Sequence, residues 1–259
     1  MSYGPIPPFR GTMDAGRAMA QETDFPRGRD EAPGHTRAGD STTMTFRDRR
    51  DAGRRLGQAL EAYRLRRPYV LAIPRGGVVV AYEVAKALGA PLDVVIPRKL
   101  RAPYNPELAI GAVAHDGSVY YDTPLFGTLK VPEDYLQDEI AFQREEIGRR
   151  MAAYRGERPQ PALEGRAAIV VDDGIATGST MIAALRAVRK MGPAATAAAI
   201  PVAPPEGCEG LRGEADEVIC LHTPVVFYAV GQFYDDFEQV SDEEAIALLR
   251  AREREIHGG

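Results

Sequence analysis

Cysteine is scarce in this sequence of 259 residues, in which only Cys208 and Cys220 occur and no CxxC spacing exists. A disulfide framework and a cysteine-type zinc site are therefore excluded. The four histidines share no ligand spacing, so we predict no metal site built from protein side chains. This composition favours a cytoplasmic location.

Long apolar runs and an excess of positive charge are also absent. No stretch approaches the roughly 20 apolar residues that a membrane-spanning helix requires. Acidic residues exceed basic ones, 37 against 32, for a formal charge of -5. An acidic chain is a poor candidate for binding nucleic acid over its whole surface, because that affinity comes from neutralising phosphates. We therefore expect neither a membrane nor a nucleic-acid partner.

The first 43 residues lack leucine and valine, whereas glycine and proline occupy 11 of these positions. Such a segment cannot bury enough apolar surface to offset a backbone entropy of about 1 to 2 kcal/mol per residue. We predict that residues 1–43 form a disordered tail and that residues 44–259 form one domain. Helical spacing begins just after Met44, at Phe46, Ala52, Leu56, Leu60 and Tyr63.

Short apolar runs alternate with helical segments through the rest of the chain. The runs are residues 69–73, 92–96, 167–171, 196–202 and 218–221, and helices are predicted at residues 77–88 and 179–191. Further helices are predicted at residues 132–154 and, behind a Ser241/Glu244 capping box, at the C-terminus. The alternation predicts an α/β fold with a parallel, Rossmann-like sheet flanked by helices.

Two smaller features complete the expected organisation. Residues 109–122 are predicted to form a hairpin that turns at Asp116 and Gly117. The charges of the long helix are typical of a solvated face, and we attach no function to them; they are Glu139, Arg144, Glu145, Glu146, Arg149 and Arg150.

The most informative stretch is AIVVDDGIATGSTM, from Ala168 to Met181. A buried strand ends in Asp172 and Asp173, whose carboxylates can accept hydrogen bonds from the vicinal hydroxyls of a sugar at the sheet edge. The loop that follows offers backbone N–H groups and hydroxyls to an anion at a helix N-terminus, through Thr177, Gly178, Ser179 and Thr180. Together these features describe a ribose 5-phosphate site. The Lys of GxxxxGK[ST] is missing, which disfavours a nucleoside-triphosphate P-loop.

VVDDGIATGSTM resembles the loop of the type I phosphoribosyltransferases that binds 5-phosphoribosyl 1-pyrophosphate (PRPP). PRGG, at residues 74–77, resembles the pyrophosphate loop of that family. PRGGVVVAYEVAKAL, PRKLRAPYNPELAIGAV and AVGQFYDDFEQVSDEE resemble a bacterial branch of uncharacterised phosphoribosyltransferases. The resemblance covers the chain from about Thr45 to the C-terminus.

The resemblance implies transfer of a 5-phosphoribosyl group between PRPP and a nitrogenous base, with release of pyrophosphate. It assigns Asp172 and Asp173 to the ribose hydroxyls. It assigns the 5-phosphate to Ala176, Thr177, Gly178, Ser179 and Thr180. It assigns pyrophosphate binding to Arg75, Gly76, Gly77 and Lys99. The implied cofactor is Mg²⁺, bound mainly through PRPP and water.

The resemblance also implies a mobile loop after Arg98 and Lys99 that covers the leaving group. Its candidates are Arg101, Pro103, Tyr104 and Asn105. A small C-terminal hood is expected to bind the base, through residues 225–228 and 234–237. Family members that use 6-oxopurines generally place an acid where Ala176 stands, so its absence counts against hypoxanthine and guanine.

Two other classes of function stay open at this point. The same loop can serve a PRPP-binding regulator without catalysis. Such a regulator should have a nucleic-acid-binding surface, which the acidic composition of this chain does not indicate. A nucleoside or nucleotide phosphorylase or hydrolase would use the same cradle with a different leaving group. The sequence identifies neither the acceptor base nor the oligomeric state, and a homodimer is one of the oligomeric states it allows.

Overall fold

The structure of the protein is a computed structural model that describes residues 45–114, 117, 119–121, 123–156 and 158–258. The expected tail, residues 1–43, and the turn residue Asp116 lie outside the described residues.

The described residues form eight strands and seven α-helices, together with two short 3-10 helices at Glu61–Arg66 and Val230–Phe233. The strands are β1 (Tyr69–Ala72), β2 (Leu92–Val94), β3 (Arg98–Ala102), β4 (Asn105–Val113), β5 (Val119–Tyr121), β6 (Ala167–Val171), β7 (Ala195–Val202) and β8 (Glu217–His222). The helices are α1 (Arg49–Ala59), α2 (Gly76–Leu88), α3 (Thr123–Leu129), α4 (Glu133–Arg155), α5 (Ser179–Arg189), α6 (Pro205–Glu209) and α7 (Asp242–His257).

Five strands form a parallel sheet in the order β2-β1-β6-β7-β8. Alternate strand residues face two different cores, since Val70 and Ala72 pack with α2 whereas Leu71 and Ile73 pack with α5. The sheet is therefore covered by helices on both faces, as the apolar runs predicted. The α/β fold class and all five predicted strands are confirmed, with bounds that differ by one or two residues.

The strand order reverses next to β1. The chain passes from β1 to β2 on one side, and β6 then pairs with the other side of β1. In open α/β sheets, ligands bind outside the carboxyl ends of the strands at such a switch point. The loops that follow β1 and β6 are therefore placed where a ligand is expected.

A second sheet is antiparallel and contains β3, β4 and β5. The predicted hairpin between β4 and β5 is confirmed, and Gly117 in its turn has a φ of +78°, which favours glycine. The segment after Arg98 and Lys99 was expected to be a loop, and this was wrong. It forms β3 and pairs with β4 through an irregular register at Leu100 to Ala102.

The first helix begins later than its apolar spacing predicted. Asp48 caps α1 by accepting a hydrogen bond from the Asp51 N–H at 2.7 Å. Ala52 and Leu56 are buried on this helix, but Phe46 precedes it and bridges to Tyr234 instead. The periodic residues therefore belong to three structures: Phe46 to an isolated bridge, Ala52 and Leu56 to α1, and Tyr63 to the 3-10 helix that follows.

The long helix α4 matches its predicted bounds, but its charges are not all solvated. Glu139 is only 6% exposed and accepts hydrogen bonds from the Arg101 side chain and from Gln143. The prediction of a uniformly solvated face was wrong because the second sheet packs on this side of α4. Among the described residues, no helix is long and apolar enough to cross a bilayer.

Candidate active site

Two loops meet at the switch point of the parallel sheet. Residues 74–77, here called the first loop, contain the turn after β1 and the first two residues of α2, and Asp172 and Asp173 follow β6. The Ile73 N–H donates to the Val171 carbonyl at 2.9 Å, so the ladder between the two strands continues to the start of both loops. The peptide bond between Pro74 and Arg75 is cis.

The two glycines of the first loop lie directly against the acid pair. A Cβ built on Gly76 would stand 1.9 Å from Oδ2 of Asp173, and one on Gly77 would stand 3.0 Å from Oδ1 of Asp172. Any larger residue at position 76 would therefore displace the Asp173 carboxylate. The structure brings together four residues that the sequence assigned separately to pyrophosphate and to ribose.

Asp173 is held by an arginine from the first helix. Nε of Arg49 donates to Oδ2 of Asp173 at 2.7 Å, and both side chains are largely buried. Nη1 of Arg49 donates to the Glu238 carbonyl at 2.7 Å, and its guanidinium stacks 3.7 Å from the centre of the Phe237 ring. Arg49 thus ties the acid loop to the C-terminal hood.

Asp172 has a different electrostatic environment. Burial, followed by the charge of the Asp173 carboxylate, raises the pKa of Asp172 well above its usual range. Its Oδ1 accepts the Asp173 backbone N–H at 2.9 Å. The pair therefore combines an acid that favours its neutral form with one that is paired to a guanidinium.

The predicted phosphate loop leads into α5. Gly178 occupies the N-cap position with a φ of +78°, so that glycine is favoured there. Ala176 and Thr177 are exposed, and the hydroxyls of Thr177 and Ser179 lie 3.3 Å apart. The side of α6 covers the loop, because a Cβ on Gly207 would stand 3.0 Å from the Ala176 carbonyl oxygen. The first N–H groups of α5 and these hydroxyls can receive an anion.

An open cleft of about 460 Å³ lies beside Gly76. Three arginines from three elements line it, namely Arg49 from α1, Arg75 from the first loop and Arg150 from α4. The remaining lining residues carry no charge and are Pro74, Gly76, Phe237, Gln239 and Val240. This cleft, which extends from the acid pair, is positively charged.

Lys99, the fourth residue predicted to contact pyrophosphate, lies elsewhere. It is exposed on β3 opposite Ala112 and does not line the cleft. Arg101, expected in a mobile loop, instead makes a salt bridge to Glu139 of α4 at 2.9 Å. Tyr104 at the hairpin tip is 93% exposed. The assignment of Lys99 to the leaving group stays a prediction.

The hood supports the acid loop from the other side. The Tyr234 hydroxyl donates to the Asp173 carbonyl at 2.6 Å, and its ring packs between Phe46 and Phe237. Tyr234 is 6% exposed, so it acts in packing rather than as an open face for a base. Phe227 stacks on Phe233, whereas Val225 and Tyr228 are almost fully exposed.

The carboxylates of the site are poorly suited to hold Mg²⁺ directly. Asp173 is paired with Arg49, and Asp172 favours its neutral form. Within the part of the chain that the structure describes, no cluster of three or more His, Cys, Asp or Glu side chains could hold a metal ion. The donor set thus fits an ion that takes most of its oxygens from a ligand and from water.

Sequence reasoning missed Arg49 and Arg150 as site residues. Arg49 lies 26 residues before Arg75, and Arg150 lies 22 residues before Asp172. Each of them is one of several arginines on its helix. No local pattern distinguishes them from their solvated neighbours. Phe237 and Gln239 fell inside the recognised late segment, but nothing in that segment predicts contact with the first loop.

The fold and the site define an α/β protein whose ligand crevice combines a paired-acid strand end, a glycine turn and an arginine-lined cleft. The chain belongs to the phosphoribosyl transferase domain family, whose sequence profile matches residues 49–238. The matched region begins at Arg49 and ends just after Phe237, and it therefore includes the acid pair, both loops and the three arginines of the cleft.

Relatives of known sequence and structure agree with this assignment. Two curated proteins of Mycobacterium tuberculosis, from strains CDC 1551 / Oshkosh and ATCC 25618 / H37Rv, are named provisionally as phosphoribosyl transferases; each is 44% identical over 212 residues. The match covers 82% of this chain and 48% of each relative, so the chain spans about half the length of these relatives. The crystal structure of TT1426 from Thermus thermophilus is similar, with 47% identity, a TM-score of 0.69 and coverage of 80% of this chain and 98% of that one.

Proposed function

We propose that this protein transfers a 5-phosphoribosyl group between PRPP and a nitrogenous base and releases pyrophosphate. The observation that carries the proposal is the contact of Gly76 and Gly77 with Asp173 and Asp172 at the switch point. This contact places the acid pair, which the predicted phosphate loop follows in the chain, directly beside the cationic cleft. PRPP has the matching order of groups, with a diol between a monophosphate and a diphosphate.

Each part of the crevice has a role in this reaction. Asp172 and Asp173 accept hydrogen bonds from the ribose hydroxyls, and residues 176–180 bind the 5-phosphate. Arg75 and the backbone of Gly76 and Gly77 bind pyrophosphate. The carbon under attack gains positive charge as pyrophosphate leaves. The protein therefore acts mainly by orienting the reactants and by neutralising the leaving group.

A Mg²⁺ ion fits this scheme as a partner of the phosphate oxygens. When bound, it would neutralise charge that develops on pyrophosphate. Asp172 and Asp173 are the carboxylates within reach of the ribose, and they would meet the ion through hydroxyls or water rather than as a cage. The arginine cleft would supply the remaining positive charge.

The base is proposed to bind beneath the hood, at the carboxyl ends of β7 and β8. Phe227 and Phe233 form the stacked aromatic pair in this region, and His222 ends β8 beside Phe233, with their ring centres 5.4 Å apart. Ala176 leaves the loop without an acid, which favours bases other than 6-oxopurines. A homodimer is compatible with this proposal but is not required by it.

The test is product analysis with the full chain, PRPP, Mg²⁺ and a panel of purine, pyrimidine and pyridine bases. Transfer predicts one nucleotide and one pyrophosphate for each PRPP consumed, and only with a suitable base. Equal release of ribose 5-phosphate and pyrophosphate without any base would instead establish a hydrolase. Binding of PRPP without turnover of any base would establish a regulator.

A further inference from the structure

We propose that Arg150 of α4 is an anion-binding residue of the cleft and that, with Arg75, it binds the diphosphate group of the ligand. The inference rests on the proposed function for the identity of the anion, but not for the existence of the site. Nothing in the PRGG or VVDDGIATGSTM motifs points to Arg150, since it lies on a helix that is separate from both loops.

The three cleft arginines differ in how far their hydrogen-bonding capacity is used. Arg49 already donates to Asp173 and to the Glu238 carbonyl. Nε of Arg150 is buried and, within the described residues, has no hydrogen-bond partner. Of the described residues, none forms a salt bridge with the guanidinium of Arg75 or of Arg150. Arg49 thus uses two of its five N–H donors and its charge is paired with Asp173. Among the described residues, Arg75 and Arg150 are the cleft arginines without a paired carboxylate.

Arg75 and Arg150 line the same cleft, and their charges act on one common group, the Tyr154 hydroxyl. Burial and the hydrogen bond to Asp242 raise the pKa of the Tyr154 hydroxyl, and the charges of Arg150 and Arg75 oppose that rise. Both guanidinium groups thus lie near the same phenol. The Asp242 carboxylate nearby accepts the Tyr154 hydroxyl at 2.6 Å, so its position is set by that contact.

The charged residues of the cleft lining are all arginines, although the charge of Glu146 on α4 also acts on Arg150 and Arg98. Burial, followed by the charge of Arg150, lowers the pKa of Arg98, which lies on the neighbouring strand. No carboxylate is among the eight lining residues of the cleft. Planar guanidinium groups from two sides suit a diphosphate, which presents several oxygens over a longer span than a single phosphate.

The chain offers a matched control in the preceding residue. Arg149 is 63% exposed at its side chain and pairs with Glu146 within α4 at 3.0 Å, outside the cleft lining. Arg149→Gln therefore removes the same charge from the same helix without touching the cleft. A comparison with Arg150→Gln separates a specific contact from a general loss of positive potential.

The experiment titrates the full chain with pyrophosphate and Mg²⁺, and separately with ribose 5-phosphate, by calorimetry. Arg150→Gln is expected to weaken pyrophosphate binding by at least about tenfold, as for a lost charge-assisted hydrogen bond. Its affinity for ribose 5-phosphate should stay within about twofold of the unmodified protein. Arg149→Gln should bind both ligands as the unmodified protein does.

Unchanged pyrophosphate affinity in Arg150→Gln would overturn the inference. If Arg150→Gln loses both ligands and melts early, Arg150→Lys decides: restored pyrophosphate binding supports the inference, and loss of both ligands again contradicts it. A protein that binds pyrophosphate through Arg150 but transfers no phosphoribosyl group would refute the proposed function alone. If the protein transfers a phosphoribosyl group but Arg150→Gln binds pyrophosphate as tightly as the unmodified protein, this inference alone is refuted.

Discussion

The two halves of the crevice are built in different ways. The side proposed to bind ribose and the 5-phosphate is one continuous segment, because Asp172, Asp173 and the loop before α5 are neighbours in sequence. The side proposed to bind the leaving group is assembled from α1, the loop after β1, α4 and the C-terminal segment around Phe237. A local segment fixes its geometry through one strand and one helix, whereas the assembled half depends on the packing of the whole domain.

Gly76 is the joint between the two halves, and Gly76→Ala should have the largest effect. Its Cβ would lie 1.9 Å from Oδ2 of Asp173 and 2.7 Å from Nε of Arg49, so the ion pair must move. We expect a loss of about 3 kcal/mol in the free energy of unfolding. We also expect roughly hundredfold weaker binding of both ribose 5-phosphate and pyrophosphate, which corresponds to about 2.7 kcal/mol. Denaturant titration and calorimetry measure these quantities.

Gly148→Ala is the control for this substitution. Gly148 lies on α4, and a Cβ there meets nothing within 4 Å. The replacement should stabilise the helix by up to about 1 kcal/mol and leave both affinities unchanged. A Gly76→Ala variant that behaves like Gly148→Ala would show that the two halves are not joined at this glycine.

The acid pair gives a smaller and more selective effect. Asp173→Asn weakens the ion pair with Arg49, so it should lower the free energy of unfolding by about 1 to 2 kcal/mol.

Asp172→Asn should weaken ribose 5-phosphate binding by about tenfold without lowering stability. Pyrophosphate affinity should be unchanged in Asp172→Asn, because that carboxylate does not line the cleft.

The pH dependence of stability sharpens the contrast between the two acids. The pKa of Asp172 in the folded protein is raised above its ordinary value of 3.8. The folded state therefore holds this proton more tightly than the unfolded state, and stability is lost as pH rises from about 4 through the raised pKa. Asp172→Asn removes that loss, so it should match the unmodified protein at low pH and exceed its stability at neutral pH. Equal stability of the two proteins at every pH would contradict the assignment.

The sequence predicted the local half of the site far better than the assembled half. The strand before Asp172 is a continuous apolar run, and Gly178 stands where its backbone needs a positive φ, so both features can be read from neighbours in the chain. Arg150 joins the site only because the fold places this part of α4 at the same cleft as Pro74, Arg75 and Gly76. Its neighbour Arg149 is also an arginine of α4, but it is exposed and pairs with Glu146. β3 was missed because its charged residues, Arg98, Lys99 and Arg101, do not alternate cleanly with apolar ones.

The most direct test of the central claim is whether both halves serve one ligand. Calorimetry would titrate PRPP with Mg²⁺ into the protein alone, and into protein saturated with ribose 5-phosphate or with pyrophosphate. We predict that PRPP binds more tightly than either fragment and that each fragment lowers its apparent affinity. An absence of heat at millimolar PRPP, or a PRPP affinity that neither fragment changes, would contradict the account.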